Sequence, residues 1–85
     1  MSYQLKITPA AQKELRKLDN LTFKRITRII AKLEFEPRPN GYKKLSGGSD
    51  EHRIRVGDYR VIYAISDKEK IVIILTLGHR KNIYK

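Results

Sequence analysis

The chain has 85 residues, room for one domain whose folding buries only about 60–65% of the unfolded chain's surface. Nineteen Lys and Arg against nine Asp and Glu give a formal charge of +10 and a pI near 10.1. That excess points to a polyanionic partner, with nucleic acid first, an acidic protein second and a membrane surface a distant third. There is no cysteine, which excludes disulfides and thiolate metal ligands. The N-terminus, Met1-Ser2-Tyr3-Gln4, lacks the apolar core of a secretory signal, and the longest apolar run, Ile71 to Leu75, is far too short to cross a bilayer. A single soluble domain over residues 1–85, cytoplasmic and without a membrane partner, is expected.

Tyr3-Gln4-Leu5-Lys6-Ile7 alternates in hydropathy and predicts a strand with Tyr3, Leu5 and Ile7 inward. Thr8-Pro9 reads as an N-cap followed by proline at the first helical position, where a missing N–H costs nothing. Ala11, Leu15 and Leu18 form one face of the helix that follows, and Asp19-Asn20 breaks it, with Asn20 as cap of a second helix. In that helix Phe23, Ile26, Ile29, Ile30 and Leu33 recur at helical spacing, while Lys24, Arg25, Arg28 and Lys32 fall outside the stripe. Pro37-Arg38-Pro39-Asn40-Gly41 ends it. Tyr42 to Asp50 predicts a polar loop carrying Lys43, Lys44 and Gly47-Gly48.

Arg53 to Tyr63 reads as two short strands joined at Gly57-Asp58, with glycine at the first position of a type II′ turn. The implied register sets Val56 against Tyr59, Arg55 against Arg60, Ile54 against Val61 and Arg53 against Ile62. Because strand side chains alternate, Arg53, Arg55 and Arg60 then share one face, and Ile54, Val56, Tyr59, Val61 and Tyr63 the other. Like charges directly opposite destabilise a hairpin, by a few tenths of a kcal/mol up to about 1. An anion facing the arginines would account for them. His52 shares the parity of Ile54 and should face the helices or the rim. Ser66 to Lys70 is a second turn before the β-branched strand Ile71 to Leu77, and Gly78 to Lys85 closes the chain. The order is βααβββ, an α+β domain with the helical hairpin on one face of a mainly antiparallel sheet, leaving the arginine face uncovered.

Several chemistries find no residues here. No paired carboxylates stand at metal-binding spacing, no Gly-rich phosphate loop joins a strand to a helix, and no serine or cysteine nucleophile has an adjacent base. No cofactor and no metal are expected. Metal-free phosphodiester cleavage remains, because RNA brings its own nucleophile in the 2′-OH and a protein need only orient it, neutralise charge and move protons. Guanidinium groups on a rigid sheet match phosphate oxygens. His79, Arg80, Lys81 and Tyr84 follow the last strand and can meet Arg53, Arg55 and Arg60 if that strand neighbours the hairpin.

The hairpin with Gly-Asp-Tyr-Arg, the hydrophobic strand after it and the Gly78-His79-Arg80 ending with Tyr84 resemble the RelE/ParE superfamily of toxin–antitoxin toxins. The leading strand and helical hairpin fit the same pattern, so the likeness covers essentially the whole chain. The RelE branch of that family implies a metal-independent endoribonuclease that enters the A site of the 70S ribosome, cuts mRNA and stops translation. It also implies a RelB-like antitoxin, acidic and partly disordered, that wraps the toxin. By this resemblance Arg60 and Arg80 stabilise transition-state and leaving-group charge, and Tyr84 orients or stacks on the substrate. Arg53 and Arg55 stand where many RelE-like toxins carry lysine. Arginine effectively cannot shed its proton, so His79 becomes the candidate general base, with Tyr84 or a water as alternatives. Lys43, Lys44 and Lys81 are candidate contacts to RNA phosphates, which add affinity without base readout. The same resemblance leaves a ParE-like inhibitor of DNA gyrase as an alternative, and the charges alone would also suit a non-catalytic RNA-binding domain.

Overall fold

Local chemistry sets each helix start. The Thr8 hydroxyl accepts a hydrogen bond from the amide of Ala11 at 3.1 Å, and Pro9 opens α1 (Pro9–Arg16). Asp19, not Asn20, caps α2 (Asn20–Leu33): its backbone is extended and its carboxylate accepts from the Thr22 amide at 3.3 Å. Both residues can cap, but the carboxylate adds charge complementary to the helix dipole. The bonds from Thr22 hold the Asp19 carboxyl below its ordinary value. The computed structural model describes residues 2–39, 42–44 and 51–79.

Around the helices lie strands β1 (Gln4–Ile7), β2 (Lys43–Lys44), β3 (Glu51–Val56), β4 (Tyr59–Ser66) and β5 (Ile71–His79), in the spatial order β1-β5-β4-β3-β2. Only β1 and β5 run parallel; the other neighbours are antiparallel. The α+β architecture expected from the pattern is present, with one addition. Lys43 and Lys44, expected in a loop, form a two-residue edge strand on β3. Two residues are too few to show a period, and lysine suits an exposed edge.

The helix-facing layer unites Ala11, Leu15, Ile26, Ile30 and Leu33 with Ile54, Val56, Val61, Tyr63, Ile65, Val72, Ile74 and Leu77. Phe23, expected in the helical seam, is 42% exposed. At about 100° per residue it sits some 60° to one side of the Ile26–Ile30–Leu33 line, and Ile29, as far to the other side, is only half-buried. In β5 the alternation slips: Val61 pairs with Leu77 and Ile62 with Thr76, but Tyr63 pairs with Ile74, so Leu75 is an extra residue. The bulge turns both Ile74 and Leu77 toward the helices. Thr8, besides capping α1, donates from its hydroxyl to the Leu75 carbonyl at 2.7 Å and so satisfies the bulge.

A polar clasp closes the other end. Arg38 binds Asp67 through both nitrogens, at 3.3 and 2.8 Å, and the Tyr3 hydroxyl donates to the same carboxylate at 2.6 Å. These bonds, Arg38's first, hold the Asp67 carboxyl down to about 2. Three segments distant in sequence are thereby joined at the β4–β5 turn.

Candidate nucleic-acid interface

The hairpin forms in the register that its sequence predicts, with Val56 opposite Tyr59, Arg55 opposite Arg60, Ile54 opposite Val61 and Arg53 opposite Ile62. Gly57 has φ +62°, and Asp58 after it is not in the positive-φ region, the pattern of a II′ turn. Tyr63 is fully buried in the helix-side core, and its hydroxyl donates to the Pro37 carbonyl at 2.7 Å. Burial pushes that phenol up to about 12. His52 is buried on the same side, its ring 5.7 Å from both Tyr42 and Tyr63, which makes it a packed aromatic rather than a part of the cationic face.

Strand parity puts Arg53, Arg55 and Arg60 on the opposite face of the sheet, although Arg55, near the hairpin tip, also lines a recess beside α2. Arg55 is exposed, Arg53 half-buried and Arg60 only 6% exposed. Ile62, next on that face, is also buried yet lies outside the helix-side cluster. Arg60 cannot neutralise itself, so its charge is held largely out of water, where attraction to an anion is stronger than at the surface. The short strand β2 brings in Lys43, a candidate RNA contact expected on a loop, directly opposite Arg53. Four cations thus cross three neighbouring strands as two facing pairs, Lys43 with Arg53 and Arg55 with Arg60. Facing like charges work against folding, and an anion on this face would relieve both pairs at once.

His79 is placed differently. It pairs with Tyr59, and the two rings meet edge to face at 5.5 Å, on the helix side of the sheet, while Arg60 stands opposite Gly78. Alternation therefore separates His79 from the arginines by the thickness of the sheet. A side chain at Gly78 would meet no described atom within 4 Å. Lys44 occupies the register position opposite His52. Arg80, Lys81 and Tyr84 lie outside the described residues. Among those described, no three His, Asp or Glu side chains come close enough to hold a metal ion, and no helix is long and apolar enough to cross a membrane.

A cationic sheet face opposite a helical hairpin is consistent with several families. The profile of the ParE toxins of type II toxin–antitoxin systems matches residues 5–84. The chain belongs to the RelE/ParE toxin superfamily. Toxin RelG of Mycobacterium tuberculosis is 30% identical over 89 residues, which covers 100% of this chain and 99% of RelG. In the RelE–RelB complex of Pyrococcus horikoshii OT3, the matching chain is 38% identical with a TM-score of 0.85, covering 96% of this chain and 99% of that one. The isolated Escherichia coli RelE toxin superposes with a TM-score of 0.80 at 26% identity, over 92% of this chain and 84% of that chain. This protein is a RelE-like toxin of a type II toxin–antitoxin system.

Proposed function

We propose that this toxin is a metal-independent endoribonuclease that cleaves mRNA in the ribosomal A site and so arrests translation. The observation that carries the reading is Arg60, 6% exposed on the helix-free face of the sheet and flanked by Arg55 across the hairpin. A desolvated guanidinium held on paired strands is suited to a phosphate whose charge grows in the transition state. In the reaction the 2′-oxygen forms a bond to phosphorus and the bond to the 5′-oxygen breaks, leaving a 2′,3′-cyclic phosphate and a 5′-hydroxyl. Arg60 and Arg80 offset the charge on the phosphoryl oxygens and the departing 5′-oxygen, while Arg53, Arg55 and Lys43 align the strand. Lys44 and Lys81 add contacts to neighbouring phosphates.

The proton on the 2′-hydroxyl goes to His79, Tyr84 or a water, since an arginine does not accept it, and the departing 5′-oxygen takes its proton from a water. His79 starts on the helix side of the sheet, so its service as base requires the substrate to reach round the end of β5. With so few groups for chemistry, the ribosome's positioning of the codon supplies much of the orientation. The partner is a RelB-like antitoxin, which the RelE–RelB complex of P. horikoshii supports, and an acidic, partly disordered chain suits a domain of charge +10.

Mapping mRNA 5′ ends by primer extension in a translating extract tests the proposal. Codon-phased cuts that appear with the toxin, and vanish when antitoxin is added, support it. The family profile carries the ParE name, which favours a second reading as a DNA gyrase inhibitor. Intact mRNA with altered plasmid supercoiling would select that reading.

A further inference from the structure

A second cationic cluster lies outside the arginine face, in the groove between α2 and the tip of the β3–β4 hairpin. Arg25, Arg28 and Lys32 line one wall of an open recess of about 380 Å³, and Arg55 the other. Along α2 these three cations rise in steps of about 4.5 and 6 Å, at about 1.5 Å per residue. None of the four cations joins an ion pair or side-chain hydrogen bond among the described residues. One acid is near: Asp58 lines an adjoining recess of about 160 Å³ with Thr22 and Arg25.

Arg25 is fixed in an informative way. Two nitrogens and the central carbon of its guanidinium lie 3.5, 3.7 and 3.9 Å from where a Cβ on Gly57 would stand, so the group turns its terminal nitrogens toward the hairpin tip. The apolar floor, Ile29 and Val56, is already packed into the domain core. The exposed apolar floor of the recess is small beside the roughly 150–250 Å² that an aromatic anchor of a protein interface buries. Arg55 belongs to both places, since it faces Arg60 across the hairpin and also lines this recess. The two surfaces meet at Arg55.

We propose that this groove is a second phosphate-binding site, in which single-stranded RNA running from the arginine face around the edge of β3 is held by Arg25, Arg28 and Lys32. The proposal rests on the RNA-directed reading of the toxin but not on its chemistry. The test uses a fluorescent 12-nucleotide 2′-O-methyl RNA, which cannot be cleaved, titrated by anisotropy at several salt concentrations. R25Q/R28Q/K32Q should bind at least 10-fold more weakly, with the slope of log K against log salt flatter by about 2, at about 0.7 per phosphate contact. K13Q/R16Q/K17Q removes the same charge from α1 and should change affinity less than 3-fold. Equal weakening by both sets, or an unchanged slope in the first, overturns the site. So does a groove variant that keeps RNA affinity but loses binding to an acidic peptide, because the groove would then be a peptide site. If the triple variant fails to fold by circular dichroism, R28Q alone carries the test, with a slope change of about 0.7. Groove-dependent binding without codon-phased cleavage would sink the nuclease reading and leave this site standing.

Discussion

Strands β3 and β4 show two faces under opposite demands. On one, Ile54, Val56, Val61 and Tyr63 meet the helical hairpin and are buried; on the other, Lys43 faces Arg53 and Arg55 faces Arg60. The first face stabilises the sheet by removing apolar surface from water. The second sets like charges side by side, which works against pairing, and holds one of them largely out of solvent. A domain this small has little stability to spare. Under the proposed reading, the core side offsets the cost of a surface arranged for an anion.

The largest expected effect falls on the charged face. Under the proposed mechanism, Arg60→Ala lowers codon-phased cleavage by about 10²–10³-fold, the loss typical of one electrostatic donor. Primer extension measures the loss, with circular dichroism to verify that the fold persists. Cleavage within a few-fold of the parent would break the division of labour between the faces.

On the apolar face, Ile74→Ala should cost about 2–5 kcal/mol, the range for emptying a buried aliphatic site, read as a lower urea midpoint. Ile74 is fully buried beside the bulge on β5, an internal strand between β1 and β4, so a loss below about 1 kcal/mol would mean that the core is looser than its burial implies.

Tyr63→Phe sharpens the comparison within the core. It removes the hydroxyl bonded to the buried Pro37 carbonyl and should cost about 1–2 kcal/mol. The phenol is raised from 10.0 to about 12 by burial, so the unfolded chain releases its proton first. Stability should therefore be complete below pH about 10 and fall as pH rises toward about 12. Stability measured across that window should lose part of this alkaline slope in the Phe variant.

The smallest effect lies in the clasp. Asp67 has its carboxyl lowered from 3.8 to about 2 by Arg38 and Tyr3. Its contribution is present above the ordinary carboxylate value and disappears as pH falls through about 2. The site is exposed and screened by salt, so Asp67→Asn should flatten the acid limb only slightly. A loss of fold at neutral pH would show that the clasp matters far more than its exposure implies.

Much of this was legible residue by residue. Period-2 alternation with Gly57-Asp58 fixed the hairpin register, because a slip of one residue would turn Ile54 and Val56 into solvent. Thr8-Pro9 marked the start of α1, since few residue pairs suit those two positions so well. Asp19 against Asn20 was not decidable, as adjacent cap formers compete and the backbone chooses. The β5 bulge left no trace in a run of apolar residues, so the turn of Leu77 toward the helices could not be read. For the candidate site, the shared face of Arg53, Arg55 and Arg60 followed from parity, while the place of His79 depended on which β4 residue it met.

The sequence by itself determined the hairpin, its charged and apolar faces, the helical pair and the cationic character of the domain, because each is written in local spacing and composition. Tertiary structure decided the rest: which strand lies beside which, that Arg60 is withdrawn from water while Arg55 is not, that Lys43 joins the cations, and that α2 brings Arg25, Arg28 and Lys32 to the hairpin tip. Burial and the meeting of distant residues are properties of packed neighbours, and local periodicity holds no information about which neighbours those are.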